Sequence, residues 1–227
     1  MNATTYKPAL LIGANGTIGR ALAEQMRNRY ELYTLSRDET DYSEVSLQKT
    51  AQMLEQKGRF AVIICCVGIL HNNTVSPEKR LSQLNEKALA EYYRINTIIP
   101  ALCLRFFHKL LDNKAPSQFT FLSAMVGSIG DNNLGGWYGY RSSKAALNQI
   151  VHTGAIELKR SNNMASLALI HPGTTIGPLS KPFASGIAKE KYYTPEQSAK
   201  RILAVTESLA PEQTGGFFNW DGSSLDW

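Results

Sequence analysis

Cysteine and histidine are scarce in this sequence and charge is nowhere clustered, and each shortage removes a class of function. The 227 residues hold 3 cysteines, Cys65, Cys66 and Cys103. Two are neighbours in an apolar run and the third sits in a helical pattern, so there is no disulfide framework. They read as free, buried thiols of a reducing compartment, and the expected location is cytoplasmic. The 4 histidines, His71, His108, His152 and His171, are scattered. No Cys/His group has zinc-ligand spacing, so no metal is expected. No stretch approaches ~18 uninterrupted apolar residues, and Met1 to Pro8 lacks the apolar core of a signal segment. No membrane partner is expected. Charged residues make up 19% of the chain and the net charge is +5, with no Lys/Arg run. That spread balance suits small anions such as phosphates and argues against nucleic acid.

What is present is an alternation. Ala9 to Ile12 is a short apolar run that reads as a buried strand ending at Gly13. Ile18, Leu22, Ala23 and Met26 then recur at helical spacing. Tyr30 to Leu35 suits a strand, Val45 to Gln56 a helix, and Phe60 to Val67 is the most strand-like run of all. A helical segment from about Asn85 to Leu111 is interrupted by Pro100. Phe119 to Leu122 and Ala165 to Ile170 are further strands, with a strong helix over Ser142 to Lys159 between them. Thr194-Pro195-Glu196 opens a last helix, and Gly216 to Asn219 fits an edge strand. The pattern predicts an α/β fold: one doubly wound, Rossmann-type domain over residues 1–227, with a parallel sheet of about seven strands and helices on both faces. No repeat or linker divides it. The Gly-, Pro- and Ser-bearing stretch Thr175 to Lys191 reads as a mobile substrate lid.

The first strand-to-helix turn carries Gly13, Gly16 and Gly19, three apart, with Asn15, Thr17 and Ile18 between them. Such a turn bends sharply, lets a pyrophosphate reach the backbone and packs the new helix on the strand, whose N-terminus supplies amide donors. At the end of the second strand an acid would bind the ribose 2′-hydroxyl of NAD, and an arginine the 2′-phosphate of NADP. Here Ser36 stands at the expected acid position, followed by Arg37, which favours NADP(H) over NAD(H); the other reading makes Arg37 a solvated residue and Asp38 the acid.

Tyr140 and Lys144 lie four residues apart at the start of a helix, on one face. A lysine cation near the phenol should lower its pKa from ~10 and suit it to acid–base work on a carbonyl or alcohol. With the glycine loop ahead of it in the chain, the pair resembles the short-chain dehydrogenase/reductase family over Leu10 to about Thr175. Val126 to Gly130, Gly135 to Arg141, Leu179 to Phe183, and Asp221-Gly222 with Trp227 look most like its C-factor and sniffer-like carbonyl reductase branch. The resemblance implies that Tyr140 is the proton donor and that Lys144 positions the nicotinamide ribose and tunes the phenol. It further implies that Asn96 supports a proton-relay water, and that Gly68, Pro172, Gly173 and Thr175 help hold the cofactor.

The chain departs from the family pattern at four places. Thr17 replaces a glycine, and Cys65-Cys66-Val67-Gly68 keeps only the last residue of an Asn-Asn-Ala-Gly motif. The threonine expected after Pro172-Gly173 falls on Gly177, although Thr174 and Thr175 are close. The register of the catalytic serine falls on Ala124. Ser123 is adjacent but faces the other way in a regular strand, and Ser128 reaches in from the loop; either is the candidate. The expected function is hydride transfer between NADP(H) and a small-molecule carbonyl or secondary alcohol, in a homodimer or homotetramer. Two rivals stand beside it. One is a catalytically weak, nucleotide-binding regulator of the same fold; the other is an epimerase or dehydratase, which needs a larger substrate domain.

Overall fold

Residues 6–182 and 192–227 are described by the computed structural model. The chain alternates as the apolar runs predict: β1 (Pro8–Ile12), α1 (Thr17–Met26), β2 (Glu31–Leu35), α2 (Glu44–Glu55), β3 (Val62–Cys65), α3 (Glu86–Tyr93), α4 (Ile99–Phe107), β4 (Ser117–Leu122), α5 (Tyr138–Ser161) and β5 (Ala165–His171). Two short strands, β6 (Thr174–Thr175) and β7 (Tyr192–Tyr193), precede α6 (Pro195–Ser208) and β8 (Gly216–Asn219).

One sheet runs β2-β1-β3-β4-β5-β8, with every pairing parallel. Strand residues alternate between two apolar layers, as the period of two demands. Leu10, Ile12, Ile63, Cys65, Phe119, Phe121, Leu167 and Leu169 face the layer completed by α2, α4 and α5. Ala9, Leu11, Val62, Ile64, Ala168 and Ile170 face the layer completed by α1 and α6. Burial on both faces explains why β1 and β3 read as continuous apolar runs.

Among the described residues the main sheet has six strands, which fits the expectation of about seven. No strand forms between β2 and α2. Segment 36–43 is too short for a further parallel strand, which needs a crossover of about a dozen residues. β2 is therefore an edge. The chain winds from β1 outward to β2 and then returns to β3 on the other side, so a crevice opens at the C-terminal ends of β1 and β3, the usual ligand position in such sheets.

The break in the long helical segment falls earlier than Pro100. A π-helical turn over Arg94–Ile98 separates α3 from α4, and Pro100 sits in the first turn of α4. The lid is described only in part: Thr175 belongs to β6, paired with β7, and residues 183–191, Phe183 included, lie outside the described residues. No described helix is long and apolar enough to cross a membrane.

Candidate active site

The glycine loop closes the crevice from β1. Gly13 has φ +82°, and its amide donates to Leu35 O at 2.7 Å, tying the loop to the end of β2. A Cβ on Gly19 would stand 2.3 Å from Gly13 O, so no side chain fits there. Gly16 caps α1 without a side-chain hydrogen bond, and the first turn of α1 holds no acid. The first amides of α1 are thus left for an anion. This donor set fits a pyrophosphate, with Asn15, Thr17 and Ile18 alongside.

At the end of β2, Ser36 is buried and donates its hydroxyl to Glu39 Oε2 at 2.8 Å. Asn15 Nδ2 donates to Asp38 Oδ2 at 2.5 Å. Both acids of this corner are engaged, whereas exposed Arg37 forms no ion pair among the described residues. Glu39 escapes sequence reading because nothing in the spacing says that Ser36 will turn toward it.

The Tyr140–Lys144 face of α5 meets the π-helical turn beyond the end of β3. Asn96 is fully buried; its Oδ1 accepts from Ile69 N at 2.7 Å, and its Nδ2 donates to Ile69 O at 3.0 Å and Ser143 Oγ at 3.1 Å. Ser143 Oγ in turn donates to Tyr140 O at 2.8 Å. A Cβ on Gly68 would lie 3.1 Å from Lys144 Nζ and 3.3 Å from Asn96 Oδ1, so both groups face bare backbone at that point. The widened turn at Asn96 is the kind of helical irregularity found at functional sites. Lys144 Nζ donates to Leu122 O at 2.9 Å. Burial lowers the Lys144 pKa from 10.5 to about 8, with the Cys65 and Cys66 thiols opposing the shift.

Tyr140 does not show the lowered pKa expected from its lysine. Its phenol is buried among Leu70, Tyr92, Ala124 and Trp137, and burial pushes its pKa above the ordinary tyrosine value. Desolvation of the charged phenolate is the cause.

The two candidate serines point to other partners. Ser123 Oγ donates to Asn148 Oδ1 at 2.6 Å. Ser128 Oγ accepts from Asp131 N at 3.1 Å, which is turn capping. Ala124, in the expected register, packs with Tyr140 instead. Near the far wall, Thr175 Oγ1 shares a hydrogen bond of 2.7 Å with Ser198 Oγ. Gly173, following Pro172, has φ +74° and passes against Tyr193 and Trp220. Arg141, to which the sequence assigns no site role, reaches from α5 to Gly136 O at 3.0 Å and to Val126 O and Gly135 O at 3.3 Å. It braces both loops beside the tyrosine. Among the described residues no Cys/His/acid group is arranged to hold a metal.

Comparison with known proteins places this geometry. A family model described as short chain dehydrogenase matches residues 20–187. The 1-hydroxy-2-glutathionyl-2-methyl-3-butene dehydrogenase of Rhodococcus sp. (strain AD45) is 28% identical over 235 residues, covering 96% of this chain and 98% of that protein. The carbonyl reductase Sniffer of D. melanogaster superposes with a TM-score of 0.79 at 19% identity, over 98% of this chain and 100% of the other. An NADPH-bound carbonyl reductase from chicken fatty liver gives 0.77 at 19% identity, over 98% and 100%. Matched over most of its length and carrying a glycine-rich turn after β1 and a Tyr-Lys pair on α5, the chain belongs to the short-chain dehydrogenase family and is a nicotinamide-dependent oxidoreductase.

Proposed function

We propose that this chain, acting as one domain, reduces a small-molecule carbonyl with NADPH, or oxidises the matching secondary alcohol. The observation that carries the reading is the meeting of Tyr140, Lys144, Asn96 and Gly68 at the C-terminal side of the sheet, on the side of an uncapped helix N-terminus. The α1 amides and the Gly13–Gly19 backbone hold the pyrophosphate, with Ser36 and Arg37 at the 2′-position. Gly68, Pro172, Gly173 and Thr175 border the nicotinamide end. When bound, the nicotinamide supplies or accepts the hydride at the substrate carbon.

Tyr140 handles the other half of the reaction. Its buried phenol, held above the usual range, keeps its proton at neutral pH and delivers it to the carbonyl oxygen as charge develops there. Lys144, cationic below about pH 8, stabilises the phenolate left behind. Asn96 holds Ile69 and, through Ser143, the first turn of α5. Ser123 and Ser128 are secondary candidates, since Asn148 and Asp131 already occupy them. Arg37 exposed beside two engaged acids, with a fold neighbour that holds NADPH, supports the phosphorylated cofactor.

The test is titration with NADPH and NADH by nicotinamide fluorescence, followed by turnover on a panel of aldehydes, ketones and o-quinones. NADPH should bind more tightly than NADH. Tyr140→Phe should abolish turnover and leave NADPH binding intact; retained turnover would remove the proton-transfer role.

A further inference from the structure

Glu78 lies in the polar loop after β3, far in sequence from the active-site helix, and yet is only 4% exposed. Its Oε2 accepts the Gly139 amide at 3.1 Å, and its backbone oxygen accepts the Trp137 amide at 2.5 Å. Its other carboxylate oxygen, Oε1, is buried without a hydrogen-bond partner. A buried acid normally demands a cation or a full set of donors. Glu78 has neither among the described residues, and the positive end of a long helix is what faces it.

The helix has no cap of its own. Trp137, at the N-cap of α5, is left-handed (φ 56°, ψ 38°) and forms no side-chain cap hydrogen bond. Gly139 is the second residue of α5 and immediately precedes Tyr140. A Cβ there would stand 2.5 Å from Tyr92 Cδ2 and 2.9 Å from Glu78 Oε1, so the carboxylate and the Tyr92 ring close on the helix where only glycine passes. Tyr92 is fixed from behind by its hydroxyl on Leu70 O at 2.8 Å. The rings of Tyr92 and Trp137 pack on Tyr140 with centroids 6.3 and 6.2 Å away.

We propose that Glu78 is a positioning residue for Tyr140: it supplies the missing cap of the active-site helix from a distant loop, and so sets the height and direction of the phenol. The assignment rests on Tyr140 as the proton-transfer residue. It differs from ordinary capping in its consequence. Release of the Gly139 amide frees the first turn of α5 to shift, and a shift of about 1 Å at a reacting group can cost a hundredfold in rate.

The test uses Glu78→Met, which fills the same volume without leaving a buried charge, and Glu78→Gln, which keeps an oxygen acceptor in place. NADPH affinity, thermal midpoint, hydrogen exchange at the Gly139 amide, and kcat and KM on the best carbonyl of the panel are measured in each. Glu78→Met should bind NADPH as the parent does, lose protection at Gly139 and lose at least about tenfold in kcat with little change in KM. Glu78→Gln should recover most of both protection and kcat. A Met variant within twofold of the parent kcat would overturn the proposal. So would an equal loss of NADPH affinity and thermal midpoint in both variants, because Glu78 would then be holding the fold alone. Tyr140→Phe is run alongside: if it retains turnover, the proton-transfer reading falls and takes this inference with it. If it is inactive while Glu78→Met turns over normally, this inference alone falls.

Discussion

Lys144 sits under opposing demands. Burial lowers its pKa from 10.5 to about 8, so below pH 8 the fold holds a cation that water would hold better. The mismatch amounts to roughly 3 kcal/mol. The unfolded chain binds this proton more readily, so stability rises with pH from about 8 to 10.5 and the penalty is complete below 8. Lys144→Met should therefore abolish turnover and yet raise stability at pH 7 by up to about 3 kcal/mol. That advantage should fade above pH 8, as urea unfolding at several pH values would show. A second residue-scale pair joins two departures from the family pattern. Thr17 stands in place of a glycine and Gly177 in place of a threonine, and they meet: a Cβ on Gly177 would lie 3.0 Å from Thr17 Cγ2. Gly177→Thr should weaken NADPH binding severalfold, and adding Thr17→Gly should restore it, a coupling that a double-mutant cycle on NADPH affinity would measure.

Among the elements, the π-helical turn is where local rules give way to the site. Its residues would continue a regular α-helix by spacing alone, and Pro100 marks a break only nearby. The break lies instead at Asn96, whose amide satisfies both backbone groups of Ile69. Asn96→Ala should strand those groups, lowering stability by about 1–3 kcal/mol in chemical denaturation and slowing turnover with it. The strands and helices themselves were legible, because apolar periodicity and length are enough for buried parallel strands. The glycine loop and the Tyr140–Lys144 pair were legible because each is local. Ser123 was half legible: it follows the last residue of β4 and is adjacent to Ala124 in the expected register, but nothing local names Asn148 as its partner. Glu78 and Arg141 were not legible. Their roles arise from contacts across the fold, and a glutamate in a polar loop looks like any solvated acid.

For the whole molecule, the sequence expectation of a homodimer or homotetramer meets exposed apolar residues on the helices. Ile98, at the end of the π-helical turn, and Ile156 of α5 are 44% and 53% exposed. We expect a dimer or larger by light scattering, and Ile156→Glu should shift it toward monomer, since a charge at an apolar interface is costly. A monomeric parent would remove that expectation. The edge position of β2 carries one last consequence. With no seventh strand beyond it among the described residues, Arg37 and Asp38 stand exposed at the rim of the sheet, next to buried Ser36. Charges there act through solvent, where screening sets in over roughly 10 Å at 0.1 M ionic strength. On the proposed reading, the preference for a phosphorylated over an unphosphorylated dinucleotide should therefore shrink as salt is added, and a pyrophosphate held by the backbone amides of α1 and the glycine loop should be affected far less. An enzyme built this way would choose its coenzyme partly by the ionic medium around it.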